Sequence, residues 1–218
     1  EIEILKQLNH PHLPSIIDVI DTEDSFIIIM DYIEGNSLNV ALAEYGAQPQ
    51  ENVIEWAKQL CDVLSYIHSK DIIYRDMKPA NIMLTEDNNI CLIDFNISFF
   101  LDDTVVLGYT SGYSSPEQYA FSINGSRGYT IGKMAINQKS DIYSVGATLY
   151  YLATGVKKIN FNTAIDIDSL INATSETFAQ VIVRAMKNNP GDRYESAYQM
   201  FQAFKGLSKR DVRYRKLV

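Results

Sequence analysis

Cysteine is scarce in this chain, with 2 residues in 218, too few for a disulfide framework or a thiolate metal cluster. Cys61 falls on the apolar face of an expected helix and Cys91 inside an apolar strand, so both read as packed thiols of a reducing compartment. The 3 histidines, His10, His12 and His68, have no spacing that suits zinc and read as structural or exposed. Long hydrophobic runs are missing too. The longest strongly apolar stretch, residues 26–30, is far short of the ~20 residues a bilayer requires, so neither a membrane segment nor a signal peptide is expected. Positive charge is in deficit, with 19 Lys+Arg against 27 Asp+Glu and a net charge of -8, which excludes a general nucleic-acid backbone binder. What is present, 46% hydrophobic and 21% charged residues over 218 positions, suffices for one well-cored domain with an expected cytoplasmic location.

Ile2, Leu5 and Leu8 recur at helical spacing before Pro11, which predicts the last turns of a helix over residues 1–9. Residues 16–20 and 26–30 are rich in β-branched side chains and flank the turn-forming residues 21–25, a predicted hairpin. Val53, Ala57, Leu60, Cys61, Leu64 and Ile67 form one stripe, so residues 52–68 predict a long amphipathic helix. A second hairpin is expected from residues 81–84 and 90–93 around Asp87-Asn88-Asn89. Residues 140–154 are apolar around most of a helix and meet Gly155 where a C-cap is expected, while residues 178–186 predict another helix. Ser196 and Gln199 read as a capping box opening a last helix whose Met200, Ala203 and Phe204 pack inward. Residues 120–138 lack periodicity and read as a long inserted loop, and the Lys/Arg-bearing tail 205–216 reads as a solvated helix end leading to a linker or, alternatively, as an electrostatic contact with a membrane or partner.

Chemistry concentrates in three short motifs. Tyr74-Arg75-Asp76-Met77-Lys78-Pro79-Ala80-Asn81 is followed by Asp94-Phe95-Asn96 and then by Ser115-Pro116-Glu117. Phosphoryl transfer requires a hydroxyl held in line, cations on the phosphates and charge neutralisation as the leaving group departs. Asp76 supplies a carboxylate for the hydroxyl proton, Lys78 an ammonium for the γ-phosphate, and Asn81 and Asp94 hard oxygens of the kind that Mg2+ prefers.

In this order the motifs resemble the catalytic loop, the D-F-G magnesium motif and the A-P-E motif of protein kinases, with one substitution in each. The lysine in the catalytic loop makes the chain similar to Hanks-type serine/threonine kinases of bacterial type. The resemblance implies an α+β, protein-kinase-like fold, with a mainly helical C-lobe over residues 35–218 and a remnant N-lobe over residues 1–34, a C helix plus one β-hairpin. It implies phosphorylation of protein Ser/Thr hydroxyls with ATP and Mg2+ as cofactors, a protein substrate and a possible regulatory protein partner. Position by position, Glu1 falls where the C-helix glutamate stands, and no Gly-rich loop or strand lysine precedes it, so the chain by itself is expected to transfer phosphate poorly. Met30 resembles the gatekeeper, Asp31 and Ile33 match adenine-bonding hinge positions, Ser37 lies near the ribose site and Met83 matches the residue beneath the adenine. Leu5, Ile16, Tyr74 and Phe95 align with the regulatory spine. Thr110 fits the threonine that braces the base and the lysine. Arg75 marks kinases switched by a phosphorylated activation loop, for which Thr104 is the preferred site. Glu117 and Arg193 match a buried ion pair, and Asp141 the aspartate that holds the catalytic-loop backbone.

Asn96 replaces the glycine of D-F-G, where asparagine is the most tolerant non-glycine substitute for positive φ. Two rival readings remain at the level of sequence. One is a catalytically weak regulatory interaction module on the same scaffold. The other is a small-molecule phosphotransferase, against which Ser115-Pro116-Glu117, Thr110 and Arg193 speak, since they serve a peptide-docking segment.

Overall fold

The computed structural model describes residues 6–21, 26–94, 109–124, 136–157 and 164–207. Strands β1 (Ile16–Asp21) and β2 (Phe26–Met30) form an antiparallel hairpin at the expected positions, with a register shift between Ile16 and Asp18. A second sheet has the order β3-β4-β5, from β3 (Asn36–Ser37), β4 (Ile82–Leu84) and β5 (Ile90–Leu92). Its hairpin turn places Asn88 at φ 60, a left-handed conformation that asparagine tolerates.

Helices make up the rest: α1 (Leu38–Tyr45), α2 (Gln50–His68), α3 (Pro116–Asn124), α4 (Gln138–Thr154), α5 (Ile167–Ala173), α6 (Glu176–Ala185) and α7 (Ala197–Lys205). The α2 stripe packs on α4 and α7, burying Val53, Leu60, Leu64 and Ile67 completely. Removing each such aliphatic side chain from water contributes about 1.5–3 kcal/mol. Helix α4 is buried nearly all round, as its even apolarity predicted, and ends at Gly155 with φ 71. It lies so close to α6 that a Cβ on Gly146 would sit 2.7 Å from Met186 Cγ and 3.0 Å from the Ala185 Cβ. The segment after Lys6 is fastened to this body through Leu92 N–H to His12 O at 2.9 Å, His12 Nδ1 to Ile90 O at 2.9 Å and Asn9 N–H to Tyr66 Oη at 2.9 Å.

Three expectations change. Residues 120–138 do not form one loop, because residues 120–124 complete α3 and Gln138 begins α4, which Asn137 caps from inside that window. Helices α1 and α5 and strand β3 were not anticipated, being 8, 7 and 2 residues long. Ser196 caps α7 by accepting from Gln199 N at 3.1 Å, but Gln199 Oε1 accepts from Glu195 N at 2.8 Å, one residue before the cap, so the box is not reciprocal. Cys61 and Cys91 are free and buried, and burial raises both thiols, Cys91 to about 11. Among the described residues no helix is long and apolar enough to cross a membrane.

Candidate active site

The site is built on the segment between α2 and β4, which is short of regular structure and held by side chains from elsewhere in the chain. Arg75 has φ 68, and Asp76 N–H donates back to Tyr74 O at 2.9 Å, closing a three-residue turn with a positive φ at its centre. Such a γ-turn is rare and strained, and it persists only where surrounding groups over-determine it. Asp141 in α4 is one of those groups. Its carboxylate has no solvent exposure and accepts from Tyr74 N–H at 2.8 Å, Arg75 N–H at 2.7 Å and His68 Nε2 at 2.8 Å.

Asp76 follows the turn, and three side chains converge on its carboxylate. Thr110 donates its hydroxyl to Oδ1 at 2.8 Å, while Lys78 Nζ at 2.6 Å and Asn81 Nδ2 at 3.0 Å both donate to Oδ2. Asn81 also donates to the Asp76 carbonyl at 3.0 Å. Pro79 begins a 3-10 turn over Pro79–Asn81 that brings Asn81 back beneath Asp76, and Asn81 is 5% exposed. Across the hairpin Ile93 N–H donates to Asn81 O at 2.9 Å, so Asn81 and Asp94 stand at the same end of the β4–β5 ladder. Asp94 is exposed and has φ 63. Tyr74 donates its hydroxyl to the Ile93 carbonyl. Burial pushes that phenol well above its ordinary value, and the Asp76 and Asp94 carboxylates add to the shift, so it stays a neutral donor.

The residues matched to nucleotide contacts fall in two neighbouring places. Met30 ends β2, half-buried; Asp31 follows, with its N–H on Ser15 O at 3.0 Å, and Ile33 is half-buried in the connecting segment. Ser37 and Met83 are direct partners in the β3–β4 ladder. The Ser37 hydroxyl oxygen also caps α1, accepting from Val40 N at 3.4 Å, a structural task that the sequence reading left out. Ile16 and Tyr74 pack on the main core. Glu1, Leu5, Phe95, Asn96 and Thr104 lie outside the described residues.

The Ser115-Pro116-Glu117 segment is anchored at the base of the site. Glu117 and Arg193, at 1% and 0% side-chain exposure, form a two-pronged pair with NH1 to Oε1 at 2.6 Å and NH2 to Oε2 at 2.9 Å. Ser140 Oγ donates to the same carboxylate at 2.8 Å, and the guanidinium also reaches the carbonyls of Lys139, Lys187 and Asn188. Burial opposes the charge on Glu117, but the hydrogen bonds and charge of Arg193 outweigh it and hold the carboxyl below its ordinary value. One residue further on, Gln118 donates Nε2 to Arg75 O at 2.7 Å.

Sequence reasoning passed over His68 and Gln118. His68 lies 73 positions from Asp141 and Gln118 lies 43 from Arg75, so only the tertiary fold brings these partners together. For Gln118 a local signal existed, a serine three residues ahead, which is the pattern of a capping box.

A family model for the protein kinase domain matches residues 1–215. Serine/threonine-protein kinase B of Synechocystis sp. is 30% identical over 201 residues, covering 89% of this chain and 35% of its own length. Serine/threonine-protein kinase PknB of Mycobacterium leprae is 28% identical over 209 residues, covering 88% of this chain and 33% of its own length. The chain therefore spans about a third of the length of these curated relatives. Among solved structures, the Mycobacterium tuberculosis PknI kinase domain superposes with a TM-score of 0.70 at 22% identity, covering 94% of this chain and 75% of that one. Rad53 1-466 in complex with AMP-PNP superposes with a TM-score of 0.72 at 22% identity, covering 93% and 52%. At that identity the superpositions speak for the fold, and the family match speaks for the lineage: this chain belongs to the protein kinase family.

Proposed function

We propose that the protein phosphorylates serine and threonine hydroxyls of other proteins at the expense of ATP, with Asp76 as the residue that orients the hydroxyl and takes its proton. The observation that carries this reading is the convergence of Thr110, Lys78 and Asn81 on the Asp76 carboxylate. A carboxylate fixed on both oxygens presents its remaining lone pairs in a set direction, which is what in-line attack by a hydroxyl needs. Lys78 lies two residues away with its ammonium already at the site and would bear on the γ-phosphate as charge develops there. Met30, Asp31 and Ile33 would line the adenine side of the nucleotide, with the Ser37–Met83 pair beside the ribose and base. Residues 1–34 would then serve as the small-lobe side of the cleft and residues 35–218 as the large lobe.

The residues suit Mg2+. Asn81 commits its amide nitrogen to Asp76, which leaves its oxygen as a donor, and the Asp94 carboxylate stands at the same end of the ladder. Among the described residues no cluster of three or more His, Cys, Asp or Glu could hold a metal unaided. That fits a cation shared with substrate phosphates, as Mg2+ usually is. When bound, Mg2+ would neutralise charge on the transferring phosphates.

The names of the two curated relatives given above, both serine/threonine-protein kinases, support this reading over a non-catalytic interaction module. The test is Asp76→Asn in the full-length protein, assayed with radiolabelled ATP and casein. The expected result is loss of phosphotransfer of at least about 10²-fold, with thermal stability nearly unchanged. Phosphotransfer at the wild-type rate would remove Asp76 from the role.

A further inference from the structure

Gln118 forms part of a cap and reaches beyond it. Ser115 Oγ accepts from Gln118 N at 3.4 Å, and Gln118 Oε1 accepts from Ser115 N at 3.0 Å and from Ser115 Oγ at 3.1 Å, so the two residues form a reciprocal box that opens α3. A cap needs only the amide oxygen. The nitrogen of the same amide points the other way and donates to Arg75 O at 2.7 Å, the shortest contact that Gln118 makes. With Gln118 at 6% exposure, water has little access to that carbonyl from this side.

The peptide it grips is the strained one. Arg75 has φ 68, its N–H is held by Asp141 at 2.7 Å, and its carbonyl belongs to the peptide group whose nitrogen is that of Asp76. Asp141 thus fixes the turn from the N–H side and Gln118 from the C=O side. The peptide plane between Arg75 and Asp76 sets the direction of the Asp76 Cα–Cβ bond. Without a partner for the carbonyl, a residue at positive φ has every reason to relax, and the carboxylate moves with it. A displacement of ~1 Å at the reacting group is enough to lose on the order of 10²-fold in rate.

We propose that Gln118 is a positioning residue for phosphoryl transfer, which couples the docked Ser115-Pro116-Glu117 segment to the catalytic loop by holding the Arg75 carbonyl and so aiming Asp76. The inference rests on the reading of Asp76 given above. It assigns to the residue after the buried Glu117 a task that is neither substrate contact nor simple capping: when the segment is docked the loop is braced, and when it is undocked the brace is gone.

The Gln118→Glu variant separates the two tasks. A carboxylate oxygen still accepts from Ser115 N–H and Oγ–H, so the cap survives, but the group that faces Arg75 O no longer donates. Gln118→Met removes both. In the full-length protein, with casein as acceptor, Gln118→Glu is expected to lower kcat per folded molecule on the order of tenfold with KM for ATP unchanged, measured well below its own Tm. Gln118→Met is expected to lower kcat similarly and Tm as well. A Gln118→Glu protein with wild-type kcat would overturn the proposal and leave Gln118 as a cap alone. If the Glu variant proves unstable, kcat per folded molecule of Gln118→Met, measured well below its Tm, decides in the same way. Asp76→Asn run in parallel keeps the two readings apart: activity in that variant overturns the assignment of Asp76, whereas an inactive Asp76→Asn beside a fully active Gln118→Glu overturns only the role of Gln118.

Discussion

At Asp141 two oxygens with no solvent exposure serve three N–H donors. Oδ1 takes Arg75 N–H, while Oδ2 takes Tyr74 N–H and His68 Nε2. Asparagine has the same shape but one oxygen, so in either orientation its NH2 must face an N–H. A buried donor left without an acceptor costs about 1–3 kcal/mol. Asp141→Asn is therefore expected to destabilise the protein by about 2 kcal/mol in denaturant unfolding and to lower kcat without raising KM for ATP. A variant with unchanged midpoint and unchanged kcat would show that the turn at Arg75 stands without this anchor. The same residue marks the limit of reading from sequence. Asp76, Lys78 and Asn81 were named from the catalytic-loop motif and Thr110 and Asp141 from the family resemblance; the fold brings the Lys78, Asn81 and Thr110 side chains onto the Asp76 carboxylate and sets Asp141 against the Tyr74 and Arg75 backbone. His68 has no motif around it; its partner is 73 positions away, and a histidine on an amphipathic helix carries no mark of what it faces.

Among the elements, the long periodic helices and the two hairpins were legible, while the short helices α1 and α5 and strand β3 were not. Helix α2 shows a full apolar stripe and α4 an apolar circumference that only a buried helix tolerates. By contrast, α1 begins at Ser37, a good cap, yet its 8 residues bury only Leu38, Ala41 and Leu42, too few to establish a period. Strand β3 is 2 residues long and exists because β4 is there to pair with it. Gly35, just ahead of β3, has φ 143, and a Cβ there would lie 2.2 Å from Leu84 O. Backbone sits against backbone there, and a side chain has nowhere to go. Gly35→Ala is expected to push β3 off β4 at a loss of about 1–3 kcal/mol, a drop of roughly 2–4 °C in Tm for each kcal/mol. Calorimetry giving a Tm equal to wild type would mean that the segment shifts freely and that β3 is not a fixed element.

For the molecule as a whole, the Glu117–Arg193 pair joins the first turn of α3 to the loop between α6 and α7, and its removal is expected to be felt throughout. Arg193→Ala leaves a buried carboxylate without its partner and should destabilise by about 3–5 kcal/mol. A thermal shift within error of wild type would refute the pair as a structural tie. The sign of the pH effect follows from the depressed Glu117 value. Its contribution is fully present above the ordinary carboxylate value of 4.5 and is lost as pH falls below that and through the lower folded value. Wild-type stability should therefore show an acid-side decline that is smaller in Arg193→Ala, measurable by urea unfolding between about pH 3 and 6. The γ-turn at Arg75 has a further consequence, one of timing. Its two braces come from residues 43 and 66 positions further along the chain. On the ribosome, Arg75 and Asp76 emerge well before Gln118 and Asp141 exist to hold them. The turn therefore cannot be held from both sides until α4 has been made, and a nascent chain that ends before α4 lacks the Asp141 brace.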